Sequence, residues 1–226
     1  MRIALASCGL AAIVSSTSLA GMVDTYTFTS RADWNDAPTD LGFVPSDWAT
    51  ATATVTFNQP EVRDASSIGD FVTFDGGGRV DWNARSSALD GEVSQVNGAL
   101  FSMPAGSSLV FSFTGNASEG GLMGIGGNFG FYDANGNRTS GRVLVKLSDG
   151  TAILRNFNSE DAFAGFWTTP GNTSITELRI TAIGAGASSS YVGANSMVLG
   201  WMAPVPAPGS IALLAAAGVL GARRRR

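Results

Sequence analysis

The chain has 226 residues, of which 44% are hydrophobic and 29 are glycine. It contains no histidine, and its one cysteine, Cys8, lies near the N-terminus. Residues 21–222 therefore exclude a Cys/His zinc site, a Ser-His-Asp triad, a Cys-His dyad and any disulfide.

Charge is distributed unevenly along the chain. All 18 acidic residues lie between Asp24 and Glu177, whereas five of the 14 basic residues are Arg2 and the four terminal arginines. Residues 21–222 thus carry nine basic and 18 acidic side chains, a net charge of −9. A surface of that sign repels phosphate backbones, so we expect no nucleic-acid partner.

The first 20 residues have the form of a secretory signal. Met1-Arg2 supplies a positive start, residues 3–14 are mostly apolar, and Ser18-Leu19-Ala20 has the small-x-small ending of a cleavage site. The pattern predicts export, with cleavage between Ala20 and Gly21. A buried N-terminal helix is the alternative.

Residues 25–83 predict several strands and one helix. Residues 25–28 alternate as a first strand does, and Ser30 with Asp33 forms a capping-box pattern for a short helix over residues 32–37. Residues 50–57 alternate threonine with apolar residues, which indicates a half-buried strand. Residues 71–74 and 79–83 then flank a glycine-rich turn as a hairpin does.

The later strands are predicted from alternation and turn residues. Residues 99–103 and 108–114 flank a turn at Pro104, and Ile125, Phe129 and Phe131 alternate with small residues. In the clearest hairpin, residues 141–157, a two-residue loop at Asp149-Gly150 would pair Leu147 with Ala152 and Val145 with Leu154. Residues 174–183 and 191–201 would form the closing pair.

This pattern predicts an all-β fold. About ten strands, short turns and one short N-terminal helix favour two packed antiparallel sheets, a β-sandwich of jelly-roll-like or immunoglobulin-like order. The predicted organisation is a signal helix in residues 1–20, the sandwich in residues 21–202 and a tail with a hydrophobic helix in residues 203–226.

The tail combines prolines, an apolar run and a basic cluster. The apolar run covers residues 210–222 and, counted from Ala203, approaches the roughly 20 residues that span a bilayer. Terminal arginines would stay on the cytoplasmic side of the membrane. The motif residues are Val205, Pro206, Ala207, Pro208 and Gly209, followed at the end by Arg223, Arg224, Arg225 and Arg226.

This tail resembles the sorting segment of the PEP-CTERM class of exported bacterial proteins, which joins a Pro-Glu-Pro-like motif, an apolar helix and terminal arginines. Ala207 stands where the class usually has Glu. The resemblance implies an exosortase-type processing enzyme as partner, transient anchoring in the membrane and a setting among exopolysaccharides. A plain C-terminal membrane anchor is the alternative.

Residues 124–200 also look like passenger domains common in that class, which implies a sandwich in the cell envelope. The motifs that carry this resemblance are Gly126-Gly127-Asn128-Phe129, Asp133-Ala134-Asn135-Gly136, Leu147-Ser148-Asp149-Gly150-Thr151, Gly165-Phe166-Trp167 and the stretch of residues 195–200.

A calcium site is considered at Asp133, Asn135 and Asn137, which alternate as oxygen ligands do in calcium loops. Arg138 stands where an EF-hand needs glycine, and Leu144 where it needs a bidentate glutamate. A hairpin turn is therefore favoured over Ca²⁺ binding, and no other cofactor is expected.

Tryptophans are the candidate sugar contacts. Trp82, with the neighbouring Asn83 and Arg85, and Trp167 could stack on a glycan, although Val80 shares the face of Trp82 and favours a core position. Trp201 is expected at the membrane interface, next to the tail.

Paired carboxylates can hydrolyse glycosides. The pairs in this sequence are Asp33 with Asp36 and Glu160 with Asp161, and their polar loop or helix context favours solvated surface charges over catalytic groups. We therefore expect a non-catalytic exported protein of the cell envelope, cell surface or extracellular matrix, structural or adhesive and associated with exopolysaccharide. The alternatives are a carbohydrate-binding module and a polysaccharide-acting enzyme that uses carboxylates.

Overall fold

A computed structural model describes residues 25–205, except residues 43, 45, 47, 59, 75–77, 116–120, 158–162, 170–173 and 185–189. The predicted signal with its cleavage site at Ala20 and Gly21, and the tail from Pro206 onward, lie outside the described residues. Among the described residues, no helix has the length and apolarity required to cross a bilayer.

The described residues form two antiparallel sheets and one helix, numbered in chain order. The larger sheet contains β1 (Thr25–Phe28), β2 (Trp48–Thr56), β3 (Val62–Ala65), β6 (Glu92–Val96), β7 (Ala99–Met103), β9 (Gly121–Tyr132), β10 (Arg138–Thr139), β13 (Phe163–Thr168) and β15 (Tyr191–Pro204). The smaller sheet contains β4 (Ile68–Thr73), β5 (Arg79–Ser86), β8 (Leu109–Gly115), β11 (Gly141–Leu147), β12 (Ala152–Phe157) and β14 (Glu177–Ile183). The helix, α1, spans Arg31–Asp40.

Neither sheet follows the chain order. The larger sheet runs β1-β13-β9-β15-β7-β6-β3, with β10 beside β9 and β2 beside β15. The smaller sheet runs β12-β11-β14-β8-β5-β4. The long strand β15 is central to the larger sheet, because β9 pairs with one edge while β2 and β7 pair with different stretches of it.

One hydrophobic core lies between the two sheets. Its buried residues include Val80, Trp82 and Ala84 of β5 in the smaller sheet, and Ile125 and Leu199 in the larger sheet. The Trp82 ring meets the Phe57 ring edge to face at 5.9 Å between centroids. The predicted all-β, antiparallel fold with two packed sheets is confirmed.

The predicted helix is confirmed and is longer than expected. The Ser30 side chain accepts a hydrogen bond from the Asp33 N–H, as the capping pattern predicts, and the helix continues through Pro38 to Asp40. Trp34, Ala37 and Pro38 are its buried residues. Trp34 and Ala37 belong to a second apolar cluster with residues of β13, β9 and β15, so α1 covers part of the outer face of the larger sheet.

Two tryptophans fasten this helix to the sheet. Trp34 and Trp167 are fully buried and stack with ring centroids 4.9 Å apart. The Trp34 Nε1 donates to the carbonyl of Phe166 at 3.0 Å, and the Trp167 Nε1 donates to the carbonyl of Trp34 at 2.8 Å. Trp167, Gly124 and Gly200 are register neighbours, and a Cβ at either glycine would collide with the Trp167 ring.

The register predicted for the hairpin of residues 141–157 is wrong by one residue. Val145 pairs with Ile153 and Lys146 with Ala152. The reason is that the loop has three residues, and the Leu147 N–H donates a hydrogen bond to the Thr151 carbonyl across the loop. Gly150 has a φ of 97°, which fits the left-handed position that three-residue loops require. The observed register places Val145 and Ile153 together in the core.

Two other predicted pairings are wrong because the chain crosses between sheets. β7 and β8 flank Pro104 but lie in different sheets, as do β14 and β15. Turn residues alone do not distinguish such a crossing from a hairpin. The missed hairpin is β6–β7, which is joined by Asn97-Gly98, both with positive φ, the residues preferred by a two-residue type I′ turn.

Buried hydroxyls accompany the crossing from β7 to β8. The Ser102 Oγ lies 2.9 Å from the Ser86 Oγ and 2.7 Å from the Ser107 Oγ, and it donates to the Ser108 carbonyl at 3.0 Å. Ser86 belongs to the smaller sheet and Ser102 to the larger sheet. This network therefore links the sheets at the point where the chain passes between them.

The tryptophan nearest the tail is part of the fold. Trp201 is 5% exposed and stacks on Phe74 at 5.6 Å between ring centroids, so its predicted position at the membrane interface is corrected to the core. β15 extends to Pro204, which pairs with Trp48. The sheet thus includes two residues beyond the boundary expected at residue 202.

We expect Gly200→Ala to destabilise the fold by about 1–3 kcal/mol, because the added methyl group collides with the Trp167 ring. Gly115→Ala is the matched control, since its Cβ would meet ordinary contacts of 3.4 Å or more. Urea unfolding of both variants measures the difference. Equal stability of the two variants would contradict the close packing of Trp167 on Gly200.

Candidate functional site

The tryptophans predicted to contact sugars are both buried in the fold. Trp82 points between the sheets and is 6% exposed, and Trp167 lies beneath α1 with no exposed surface. Neither ring offers a free face for stacking on a glycan. The core position that alternation favours for Trp82 is confirmed, and the predicted glycan contact at Trp167 is corrected to the core. Loss of glycan binding after Trp82→Ala or Trp167→Ala would therefore reflect damage to the fold.

The other two predicted sugar contacts lie together on a solvent-facing surface. Side chains alternate along β5, so Val80, Trp82 and Ala84 are buried while Asn83 and Arg85 are exposed on the opposite face. We call the solvent-facing side of the smaller sheet the outer face. Asn83 and Arg85 lie one strand in from the edge of the sheet, because β5 is placed between β8 and the edge strand β4.

The outer face is basic, although the chain as a whole is acidic. Alternation and register place five basic side chains and two acidic ones on it, a local charge of +3. These five are more than half of the nine basic residues in residues 21–222. They are Arg79, Arg85, Arg142, Lys146 and Arg179, and the acidic residues are Asp81 and Glu177.

Three of these cations form one row across four strands. Lys146 of β11 is the register partner of Arg179 of β14, Arg179 is the partner of Val110 of β8, and Val110 is the partner of Arg85 of β5. All four side chains are on the outer face. We call Lys146, Arg179 and Arg85 the cationic row.

Val110 shows how the row packs on the sheet. It is fully buried but does not belong to the core between the sheets. Its two register neighbours are Arg85 and Arg179, whose aliphatic stems are placed to cover it. Long basic side chains commonly bury their stems in this way while their charged groups stay in water.

Polar groups border the row on one side, and polar groups together with Leu144 border it on the other. Asn83, Ser112 and Glu177 are register neighbours on one side. On the other side, the Ser108 Oγ lies 2.8 Å from the Thr181 Oγ1. Glu177 also forms an ion pair with Arg179 at 3.5 Å, with the Arg179 side chain 42% exposed. An exposed pair of this kind is weak and exchanges readily with water or a ligand.

An open hollow adjoins one end of the row. It has a volume of about 580 Å³ and is lined by residues that include Ser66, Arg85, Ser87 and Asp90. Leu89, in the same loop, is 95% exposed. Arg85 thus belongs both to the cationic row and to the wall of this hollow.

The exposed aromatic residue of the outer face is Phe71. It is 50% exposed, and the Arg79 guanidinium lies 4.1 Å from its ring centroid. Arg79 also donates to the Asp81 carboxylate through Nε at 3.0 Å and Nη2 at 2.6 Å. The alternation of Ile68 and Val72 toward the core was a sequence signal that could have placed Phe71 outside.

In the candidate calcium loop, the Asp133 carboxylate accepts hydrogen bonds from other residues of the same loop. The Asp133 Oδ1 accepts from the N–H groups of Asn135 and Asn137, and Oδ2 accepts from the Asn137 Nδ2 at 3.0 Å. The side-chain bond from Asn137 is the main reason that the pKa of Asp133 is lowered. Across the described residues, no three His, Cys, Asp or Glu side chains form a group that could hold a metal.

Of the two acidic pairs, Asp33 with Asp36 lies among the described residues. Asp33 and Asp36 are both exposed on α1, on the side of the helix that faces water. Glu160 and Asp161 lie outside the described residues.

Comparison with known proteins identifies no matching family model and no matching curated protein.

A buried phenol lies on the other side of the molecule. Tyr132 packs against Phe101 in an apolar cluster of the larger sheet, and its hydroxyl has no hydrogen-bond partner among the described residues. Burial raises the pKa of Tyr132 to about 12, and the charge of Arg138 opposes this shift. The phenol therefore ionises more readily in the unfolded chain, so it leaves stability independent of pH below pH 10 and lowers stability as the pH rises from 10 toward 12.

We expect Tyr132→Phe to stabilise the protein at neutral pH by about 1–3 kcal/mol, because it removes a buried hydroxyl without a partner. The variant should also lose less stability than the parent between pH 10 and pH 12. Tyr191→Phe, in the same cluster but partly exposed, is the control. Denaturant unfolding across this pH range measures both effects. A Tyr132→Phe variant that is less stable than the parent would contradict the absence of a hydrogen-bond partner for the Tyr132 hydroxyl.

For the Asp133 loop, we expect the melting temperature to be the same in millimolar calcium and in a chelator. Asp133→Ala should lower the melting temperature in both conditions, since the loop loses three hydrogen bonds. A calcium-dependent rise in the parent that is absent from Asp133→Ala would instead establish a metal site. Differential scanning calorimetry separates the two cases.

Proposed function

We propose that the chain is a non-catalytic, exported protein of the cell envelope or extracellular matrix, held briefly at the membrane by its tail. Its β-sandwich would have a structural or adhesive role in contact with exopolysaccharide. The finer fold proposal is a sandwich of jelly-roll-like or immunoglobulin-like order, preceded by a signal helix and followed by a hydrophobic helix.

The observation that carries the proposal is the outer face of the smaller sheet. It is solvent-facing and it is basic on an acidic chain. Its two central strands, β14 and β8, carry Glu177, Arg179 and Ser112 around the buried Val110. Such a surface suits contact with a hydrated polar polymer better than it suits a packed protein interface, whose centre is depleted in charge. The segments at the two ends of the sequence supply the export and sorting part of the proposal.

The short distance between fold and tail supports membrane-proximal retention. β15 is paired up to Pro204, and the sequence has only residues 205–209 between that point and the apolar run. A chain paused by its tail would therefore hold the sandwich close to the membrane surface. The tail would then be the substrate of an exosortase-type enzyme.

A non-catalytic role is supported by the residue types of the sandwich. Residues 21–222 have no histidine or cysteine, which removes the commonest nucleophile and base pairs. A carboxylate enzyme would need two acids facing each other across a substrate cleft. Asp33 and Asp36 lie instead on an exposed helix surface.

Mass spectrometry of the native protein from membrane, cell-surface and medium fractions tests this proposal. We expect a mature N-terminus at Gly21 and a C-terminus that has lost Arg223–Arg226. Replacing Pro206 and Pro208 with Ala should leave an unprocessed chain in the membrane fraction. Ala207→Glu, which restores the usual motif, is the matched control and should be processed. Recovery from the cytosol of a chain with intact Met1 and Arg226 rejects the proposal.

A further inference from the structure

We propose that the outer face of the smaller sheet binds a carboxylate-bearing polysaccharide, with the cationic row holding the carboxylates and the bordering polar side chains contacting sugar hydroxyls. This inference rests on the proposed function and adds the chemical class of the ligand and the residues that bind it.

The first argument is the juxtaposition of like charges in the row. Lys146 and Arg179 are directly opposite each other on neighbouring strands and on the same face. Like charges in this arrangement destabilise a sheet. A sequence that breaks a local rule of this kind does so most often at a functional site. An anionic ligand lying over the two strands removes the repulsion.

The second argument is that the cations at both ends of the row are available. Lys146 and Arg85 are exposed, and neither forms a hydrogen bond or ion pair within the described part of the chain. Arg179 has only the weak, exposed pair with Glu177. Arginine binds a carboxylate through two parallel hydrogen bonds, and lysine binds it as a point charge.

The third argument is the spacing of the groups. Neighbouring strands lie about 4.8 Å apart, so the backbone positions of Lys146 and Arg179 are about 5 Å apart along the row and those of Arg179 and Arg85 about 10 Å apart. A ligand that meets all three must carry several carboxylates along an extended chain. Asn83 and Ser112, beside the row, make no side-chain hydrogen bonds within the described residues and are available to sugar hydroxyls.

Charge distinguishes this ligand from other polyanions. The net charge of −9 over residues 21–222 opposes a densely charged polymer such as a nucleic acid. A polysaccharide carries its carboxylates on bulky sugar rings, with hydroxyls between them, and therefore matches a row of cations bordered by amide and hydroxyl groups. A second copy of the chain is disfavoured because charged residues occupy the centre of the face.

Binding of the full chain, purified in detergent, to polygalacturonate tests the proposal. We expect measurable affinity that weakens as salt is added, and no binding to the fully methyl-esterified polymer, which has the same backbone without charge. The double variant Lys146→Gln with Arg85→Gln should lose at least about tenfold in affinity. Glu177→Gln should bind more tightly, because Arg179 is released from its ion pair.

Arg63→Gln with Arg31→Gln is the matched control, since it removes the same charge from surfaces away from the outer face. It should keep the parent affinity, and melting temperatures verify that all variants are folded. Equal loss in this control, equal binding to the methyl ester, or binding of single-stranded DNA as tight as that of polygalacturonate overturns the proposal. So does self-association of the chain that Lys146→Gln abolishes.

The outcomes also separate this inference from the proposed function. A chain that is exported and processed but fails to bind polygalacturonate retains the proposed function and loses the ligand assignment. A chain that binds polygalacturonate through the row but remains in the cytosol loses the proposed function and retains the site.

Discussion

The whole structure depends on one constraint, the burial of one side of each sheet in a core shared by both sheets. Residues 21–222 have no cysteine, so no disulfide contributes to stability there. In the smaller sheet, residues on the core side of the strands are therefore apolar and buried, as Val80, Trp82 and Ala84 are in β5. The same alternation sends the intervening residues to solvent, and Asn83 and Arg85 face outward for that reason. The core and the candidate site are two sides of a single pattern.

The two outer surfaces of the sandwich differ in what covers them and in their charge. On the larger sheet, α1 and the stacked pair of Trp34 and Trp167 cover a region where Gly124 and Gly200, which have no side chain, leave room for the Trp167 ring. The exposed side of that helix carries Asp33, Asp36 and Asp40. The outer face of the smaller sheet has no covering element among the described residues and is basic. This asymmetry is what separates the candidate binding surface from the remaining, more acidic surface.

Local patterns predicted the elements better than their partners. Alternation identified the strands around Tyr26, Val55 and Phe111 and the inward direction of Trp82, and the cap at Ser30 identified the helix. Pairing failed where the decisive information was not local. Pro104 marks a crossing between sheets rather than a hairpin, and the three-residue loop at Gly150 shifts one register. The Asn97-Gly98 turn is the local signal in the sequence that identifies the β6–β7 hairpin.

The candidate site was only half predictable for the same reason. Asn83 and Arg85 lie within three residues of Trp82 in the sequence, so the local pattern predicts them as sugar contacts. Lys146 and Arg179 are far away in the chain and reach Arg85 only through the pairing of β11 with β14 and of β14 and β5 with β8. No sequence motif describes such a row. It exists only when four strands have one particular register.

The cationic row depends on the register of its strands. A one-residue slip of a strand turns all of its outward side chains inward, so the row cannot be lost gradually by sliding. Burial of Leu178 and Ile180 holds β14 in the register that keeps Arg179 outside, and burial of Val143 and Val145 does the same for Lys146. Burial of these core residues therefore offsets the repulsion between the cations that the same register aligns on the other side of the sheet. Charge substitutions at the surface should alter binding while leaving the fold intact, because the residues that fix the register are not the residues that meet the ligand.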